Sequence, residues 1–157
     1  PDRRSWERVS SVIKDFPELT DLHKVLVSGI IGNKATSLFF RFINENVIPS
    51  AQEILCGDFK LSEPKLEKLN VPLLSQVSSS LFDFIESESS EIENSPEKTS
   101  VVSGNLINYF EYLEKTSKES VSYFASLWSA SEYPRTLAFI GAHCIGLYKK
   151  LVSSFEK

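Results

Sequence analysis

Two adjacent arginines, Arg3 and Arg4, stand just ahead of Trp6 in the stretch PDRRSWERVSSVIKDF, where a helix is expected to begin. A helix N-terminus offers free backbone amides and partial positive charge. A guanidinium there adds a full charge and a planar donor fork matched to phosphate oxygens. Arg8 lies one turn beyond Arg4, so it either extends the positive face or pairs with an acidic neighbour. Trp6 is read as a core anchor rather than a base-stacking platform. Solvated terminal side chains are the plain alternative for both arginines.

The remaining side chains suggest little chemistry. His23 and His143 are the two imidazoles available as a general base, and no Gly-x-Ser-x-Gly elbow accompanies the serines. Both histidines are read as satisfied or exposed. His143 and Cys144 are sequence neighbours, so a helix turns them in different directions, and no His-Glu-x-x-His occurs. No bound metal is expected. Cys56 and Cys144 belong to no Cys-x-x-Cys pair and are read as buried or partly buried free thiols, which suits a reducing cytoplasm. GIIG, residues 29–32, has the spacing of a backbone clamp for nucleic acid, but Lys34 is the only nearby cation. Gly29 is read instead as a helix-packing contact and Gly32 as a helix C-cap. Neither a Gly-x-x-x-x-Gly-Lys-Ser/Thr phosphate loop nor an apolar strand ending in Asp-Glu is present. By itself the chain is not expected to hydrolyse ATP, and no catalytic residue is assigned in it.

The elements that must position these residues read as helices throughout. The chain has 157 residues, enough for one ordinary domain or two small ones, and its few glycines and missing Asn-Gly or Asp-Gly turns argue against β structure. A net charge of −4 gives no reason to expect nucleic acid or an anionic membrane as partner. The longest apolar run, LAFIGAHCIGLY at 137–148, is too short to cross a bilayer as a helix. The charged N-terminus lacks the apolar core of a signal peptide, so a cytoplasmic location is expected. The chain contains no methionine, which suggests a fragment of something longer.

The expected architecture is an all-α helical bundle. The first helix is expected from Ser5, as N-cap, to Asp15, with Trp6, Val9, Ile13 and Phe16 inward and Pro17 closing it. The second starts at Thr20 or Asp21 and presents Leu22, Val25, Leu26, Gly29 and Ile30. Asn33 caps a third, with Ala35, Leu38, Phe39 and Phe42 inward. Ser50 and Glu53 form a capping box for a short helix that ends at Gly57-Asp58. Residues 62–72 read as a connector. Leu74, Val77, Leu81, Phe84 and Ile85 stripe a helix over 71–87. SESSEIENSPEKTS, residues 87–100, reads as a mobile acidic loop. Val102, Leu106, Phe110 and Leu113 stripe the next helix, and Val121, Phe124 and Trp128 the one after. The last runs over 135–155, with Leu137, Gly141, Cys144, Tyr148, Leu151 and Phe155 as its seam. The division expected is residues 1–61 against residues 62–157.

RRSWERVSSVIKD, followed by SGIIGNKATSLFFRFI and IPSAQEIL, resembles the C-terminal part of MoxR-like AAA+ ATPases. In that family a Pro-Arg-Ser-Trp-Glu-type stretch opens the lid. A Gly-x-x-Gly turn, a helix with phenylalanines and a Pro-Ser-x-x-Glu-Ile-Leu segment follow. NLINYFEYLEK, residues 105–115, is similar to a later helix in some members. The likeness covers about residues 3–56 and, less closely, 105–115. It implies an AAA+ lid-like subdomain over 1–61. Arg4 would be its sensor-2 arginine, reaching nucleotide held by a preceding α/β core. Arg3 is the alternative, because the family usually has proline directly before this arginine. The resemblance further implies ATP and magnesium in the intact parent. It implies a missing N-terminal AAA+ core, neighbouring subunits in a hexameric ring, and a chaperone-like action on partner proteins. Von Willebrand factor A-type proteins are partners of some relatives. Two other readings stand beside this one. Residues 71–157 would suit an oligomerisation collar like that of clamp-loader subunits, with Tyr112, Tyr123 and Tyr133 at an interface. A free-standing helical adaptor holding a partner peptide in a groove is the other.

Overall fold

Asp2, rather than Ser5, starts the first helix. In this computed structural model, which describes residues 1–16, 19–45 and 48–155, α1 (Arg3–Ile13) opens on the Asp2 carboxylate. The Ser5 amide and the Ser5 hydroxyl both donate to Asp2 Oδ1 at 2.8 Å. A carboxylate also meets the positive end of the helix dipole, which a serine hydroxyl does not. Nine further helices follow among the described residues: α2 (Asp21–Ile31), α3 (Asn33–Glu45), α4 (Ala51–Cys56), α5 (Phe59–Leu66), α6 (Val71–Glu93), α7 (Pro96–Thr116), α8 (Lys118–Ser129), α9 (Pro134–His143) and α10 (Ile145–Phe155). No strand is present among these residues, so the all-α expectation holds. None of the described helices is long and apolar enough to cross a membrane.

The chain divides into two compact units, Pro1–Val47 and Ile48–Lys157. The division expected at 61/62 falls inside α5 instead. The reason is Asn105 on α7, which is buried and donates to the carbonyls of Leu55 and Gly57, both at 2.9 Å. It ties the end of α4 into the second unit. The Ser50–Glu53 capping box forms as expected, and Lys65 on α5 adds an ion pair to Glu53 at 2.7 Å.

In the first unit Val9, Val27 and Phe40 are the buried core, with Ile13, Leu19, Ile30, Ile31 and Phe39 packed around them. Of the stripe expected to face inward on α2, Leu22, Val25 and Leu26 face outward, 67, 66 and 49% exposed, while Ile30 packs against the core. His23 sets this rotation. Its Nδ1 accepts from the Thr20 amide at 3.0 Å, and its ring lies against Phe16 with centroids 4.3 Å apart. With His23 inward, Val27 follows one turn later. On α3, likewise, Thr36 and Phe40 are buried while Leu38 and Phe42 are exposed. Gly29 is exposed with open space beside it, so it makes no packing contact. Gly32 does end α2, at φ 81, where a side chain would be strained. Pro17 lies outside the described residues.

The second unit is organised by the α6–α7 hairpin. Residues 87–100, expected as a mobile acidic loop, are helical apart from the turn at Asn94 and Ser95. Ser89 and Ile92 continue the buried stripe of Leu81 and Ile85. Ser95 Oγ then accepts from the Lys98 amide at 3.3 Å, with Pro96 as first helical residue, and the Thr99 hydroxyl donates to the Ile92 carbonyl at 2.8 Å. Residues 62–66, placed in a connector, belong to α5. Phe82, absent from the expected stripe, is fully buried and stacks edge-on with Phe124 and Tyr133, at 5.0 and 5.3 Å.

The helix expected over 135–155 breaks at Cys144, whose backbone leaves the helical region at φ −125 and ψ 54. The break changes the seam. Thr136, Phe139, Ile140, Cys144, Leu147 and Leu151 are buried, whereas Gly141 and Tyr148 are exposed. The side chain of Phe155 lies outside the described set. Cys144 is buried and Cys56 half-buried, both as free thiols.

The N-terminus of α9 has no capping side chain of its own, because Tyr133 stands at that position. Glu86 on α6 supplies the cap. Its carboxylate accepts from the amides of Arg135 at 3.2 Å and Thr136 at 2.9 Å, and the Thr136 hydroxyl lies 3.0 Å away. Glu86→Ala is therefore expected to lower unfolding free energy by about 1–2 kcal/mol in a denaturant titration, with Glu86→Gln recovering part of the loss. A second expectation concerns pH. Lys65 first, then the Ser50 amide, holds the Glu53 carboxyl below its usual 4.5. Its stabilising contribution is present above the unfolded value and is lost as pH falls through the lower folded value. The stability gap between wild type and Glu53→Gln should therefore shrink on acidification below about pH 4.

Candidate functional site

The first turn of α1 separates the two arginines. Arg3 Nε donates to Glu7 Oε1 at 3.0 Å, an exposed pair at the favourable four-residue spacing. Arg4 instead lines an open depression between α1 and α2 together with Glu7, Arg8, Ser11, Val12 and Ile30. Val12 and Ile30 give it an apolar wall, and the guanidinium groups give it a cationic rim. The Ser11 hydroxyl donates to the Glu7 carbonyl at 3.0 Å, so it stays within α1.

The charges at this edge are arranged unevenly. Glu7 is engaged by Arg3. Asp2 is engaged by Ser5, whose amide and then hydroxyl hold the Asp2 carboxyl below its usual 3.8, with Arg8 adding a smaller pull. Arg4 and Arg8, one turn apart, are like charges on one face, an arrangement that disfavours the helix by a few tenths of a kcal/mol. An oxyanion between them would reverse that sign. The groups present can bind and orient an anion. The Glu7 carboxylate among them is held by Arg3, and the Ser11 hydroxyl by the Glu7 carbonyl.

The other sequence candidates lie elsewhere. Trp6 is 39% exposed and packs on Phe39 at 5.5 Å between ring centroids. It is a packing residue set at the surface rather than deep in a core. His23 is a helix-capping group. His143 Nε2 lies 3.3 Å from Glu93 Oε1, and its ring packs 4.9 Å from Phe139. Among the described residues, no three His, Cys, Asp or Glu side chains gather as a metal-holding group. The tyrosines expected at an interface are mostly occupied internally. Tyr112 is buried, Tyr133 stacks on Phe82, and the Tyr123 hydroxyl lies 2.8 Å from Ser79 Oγ.

Sequence reasoning missed Val12 and Ile30 as the wall of the depression. A helical wheel of α1 alone cannot say which α2 residue sits opposite Arg4. It also missed the Asp2 cap, although an aspartate three residues before Ser5 was a readable signal.

Set against protein-family models, curated proteins and solved structures, the chain matches none of them.

Asp2 is what places both arginines inside the helix rather than before it. Asp2→Ala is expected to speed hydrogen exchange at the Ser5 amide about fivefold or more, the equivalent of about 1 kcal/mol of cap. Exchange within α6 and α7 should stay unchanged, and amide exchange followed by NMR checks both.

Proposed function

We propose that this chain is the lid and following helical region of a MoxR-like AAA+ ATPase, in which Arg4 reads the γ-phosphate of ATP. The observation that carries the reading is the first turn of α1. Arg4 stands at the N-terminal end of a capped helix on the rim of a depression it shares with Arg8, while Arg3 is drawn along the helix to Glu7. That division favours Arg4 over Arg3 as the phosphate contact. The resemblance of RRSWERVSSVIKD, SGIIGNKATSLFFRFI and IPSAQEIL to that family supplies the class of ligand.

A second observation supports it. The first unit is small, and it leaves Leu22, Val25 and Leu26 exposed along α2. Units of this size bury too little to be comfortably stable alone, and a lid ordinarily rests on a larger domain. In the whole protein the α/β core would hold ATP and magnesium, and neighbouring subunits would complete a ring. Loss of the γ-phosphate contact would release the lid and pass the motion to a partner protein, von Willebrand factor A-type proteins among the candidates. The chain itself would contribute binding and sensing.

The test is made in the whole protein. The sequence upstream of Pro1 should contain a phosphate loop and an acidic strand end; a start codon directly before Pro1 would overturn the reading. Arg4→Ala should lower ATP turnover at least about tenfold, as loss of a charge-stabilising donor does, with the unfolding midpoint unchanged. Arg3→Ala should cost much less. Unchanged turnover and nucleotide affinity in Arg4→Ala would remove Arg4 from the mechanism.

A further inference from the structure

The second unit carries unlike charge at the two ends of α7. Around the α6–α7 turn at Asn94 and Ser95 stand Glu88, Glu91, Glu93 and Glu97, with Lys98 as a cation among them. Glu93 meets His143, whereas Glu91 and Glu97 are exposed. α7 has 21 residues, so its other end lies about 30 Å away at about 1.5 Å per residue. There Glu114, Lys118, Val121, Ser122, Lys149 and Lys150 line an open groove.

Within that groove Lys150 is held, its Nζ 2.7 Å from Glu114 Oε2 and 6.0 Å from the Phe110 ring centroid. Lys118 and Lys149 are exposed beside it. Lys118 is also the first residue of α8, whose N-terminus adds partial positive charge, with Glu119 beside it in the same turn. Val121 adds an apolar side chain to the lining.

We infer that the acidic turn of one copy of this chain seats in the lysine-lined groove of a second copy. Exposed Glu91 and Glu97 on one molecule meet exposed Lys118 and Lys149 on the other. Both features are built on helices of one packed unit, so neither has to order on binding. The length of α7 keeps a turn away from its own groove, and the contact must therefore be intermolecular. Such a contact joins unlike surfaces, and it is satisfied by a reciprocal pair or by a head-to-tail series. The inference stands apart from the ATPase reading and uses none of its residues.

Sedimentation of the full 157-residue chain tests it. At about 0.05 M salt the chain should show a concentration-dependent species larger than a monomer. At about 1 M salt, where the Debye length is about 3 Å, it should return to monomer. Glu91→Lys with Glu97→Lys should lower the association constant at least about tenfold, and so should Lys118→Glu with Lys149→Glu. An equimolar mixture of the two double variants should regain it, because each now carries the charge that complements the other. That recovery also separates lost association from lost folding. A monomer at low salt, an association indifferent to salt or to both reversals, or a mixture that stays monomeric would each overturn the inference.

Discussion

The pairing of α6 with α7 around the Tyr109 hydroxyl is the contact on which the second unit depends. That hydroxyl is buried, donates to the Leu74 carbonyl at 3.1 Å and receives the Ser78 hydroxyl at 2.8 Å. Burial pushes the phenol well above its usual range, so the group stays a neutral donor. An unmade bond there would cost more than the bond itself contributes, so the register of α7 on α6 is strongly specified. Two further helices are tied to this pair by polar links. Asn105 on α7 holds the end of α4, and Glu86 on α6 holds the start of α9.

The first unit is organised differently. Its core is three buried side chains and their half-buried neighbours. Local capping does more of the work there: Asp2 starts α1, His23 orients the start of α2 and Gly32 ends it. That balance matters for the arginines. Asp2 commits its carboxylate to Ser5, Glu7 commits its own to Arg3, and the face bearing Arg4 and Arg8 keeps a positive edge.

Much of the helix content could be read from the chain, because apolar spacing and caps are local signals. Leu74, Val77, Leu81 and Ile85 on α6, and Val102, Leu106, Phe110 and Leu113 on α7, are buried as their spacing implied. The acidic stretch over 87–100 misled because serine and glutamate dominate its composition. In its helix Ser89 and Ile92 are both buried and continue the inward stripe. On α2, Leu22, Val25 and Leu26 looked like the inner face by hydrophobicity alone. A capping histidine with an aromatic neighbour outweighed three aliphatic side chains. Of the candidate site, the arginines were legible as charge at a helix start. Their unequal engagement was not.

By itself, then, the sequence determined that the chain is helical, where α2, α3, α4 and α6 begin, and that Arg3 and Arg4 stand at the mouth of the first. These are consequences of neighbours a few residues apart. Only the tertiary structure decided which way α2 and α3 face, where the chain divides, that Glu86 caps α9 from 49 residues away, and that Ile30 rather than another residue lies beside Arg4. Those outcomes turn on helix rotation and on contacts between distant segments. Hydrophobic spacing leaves rotation nearly degenerate when several faces are apolar, and a few buried polar bonds break the tie.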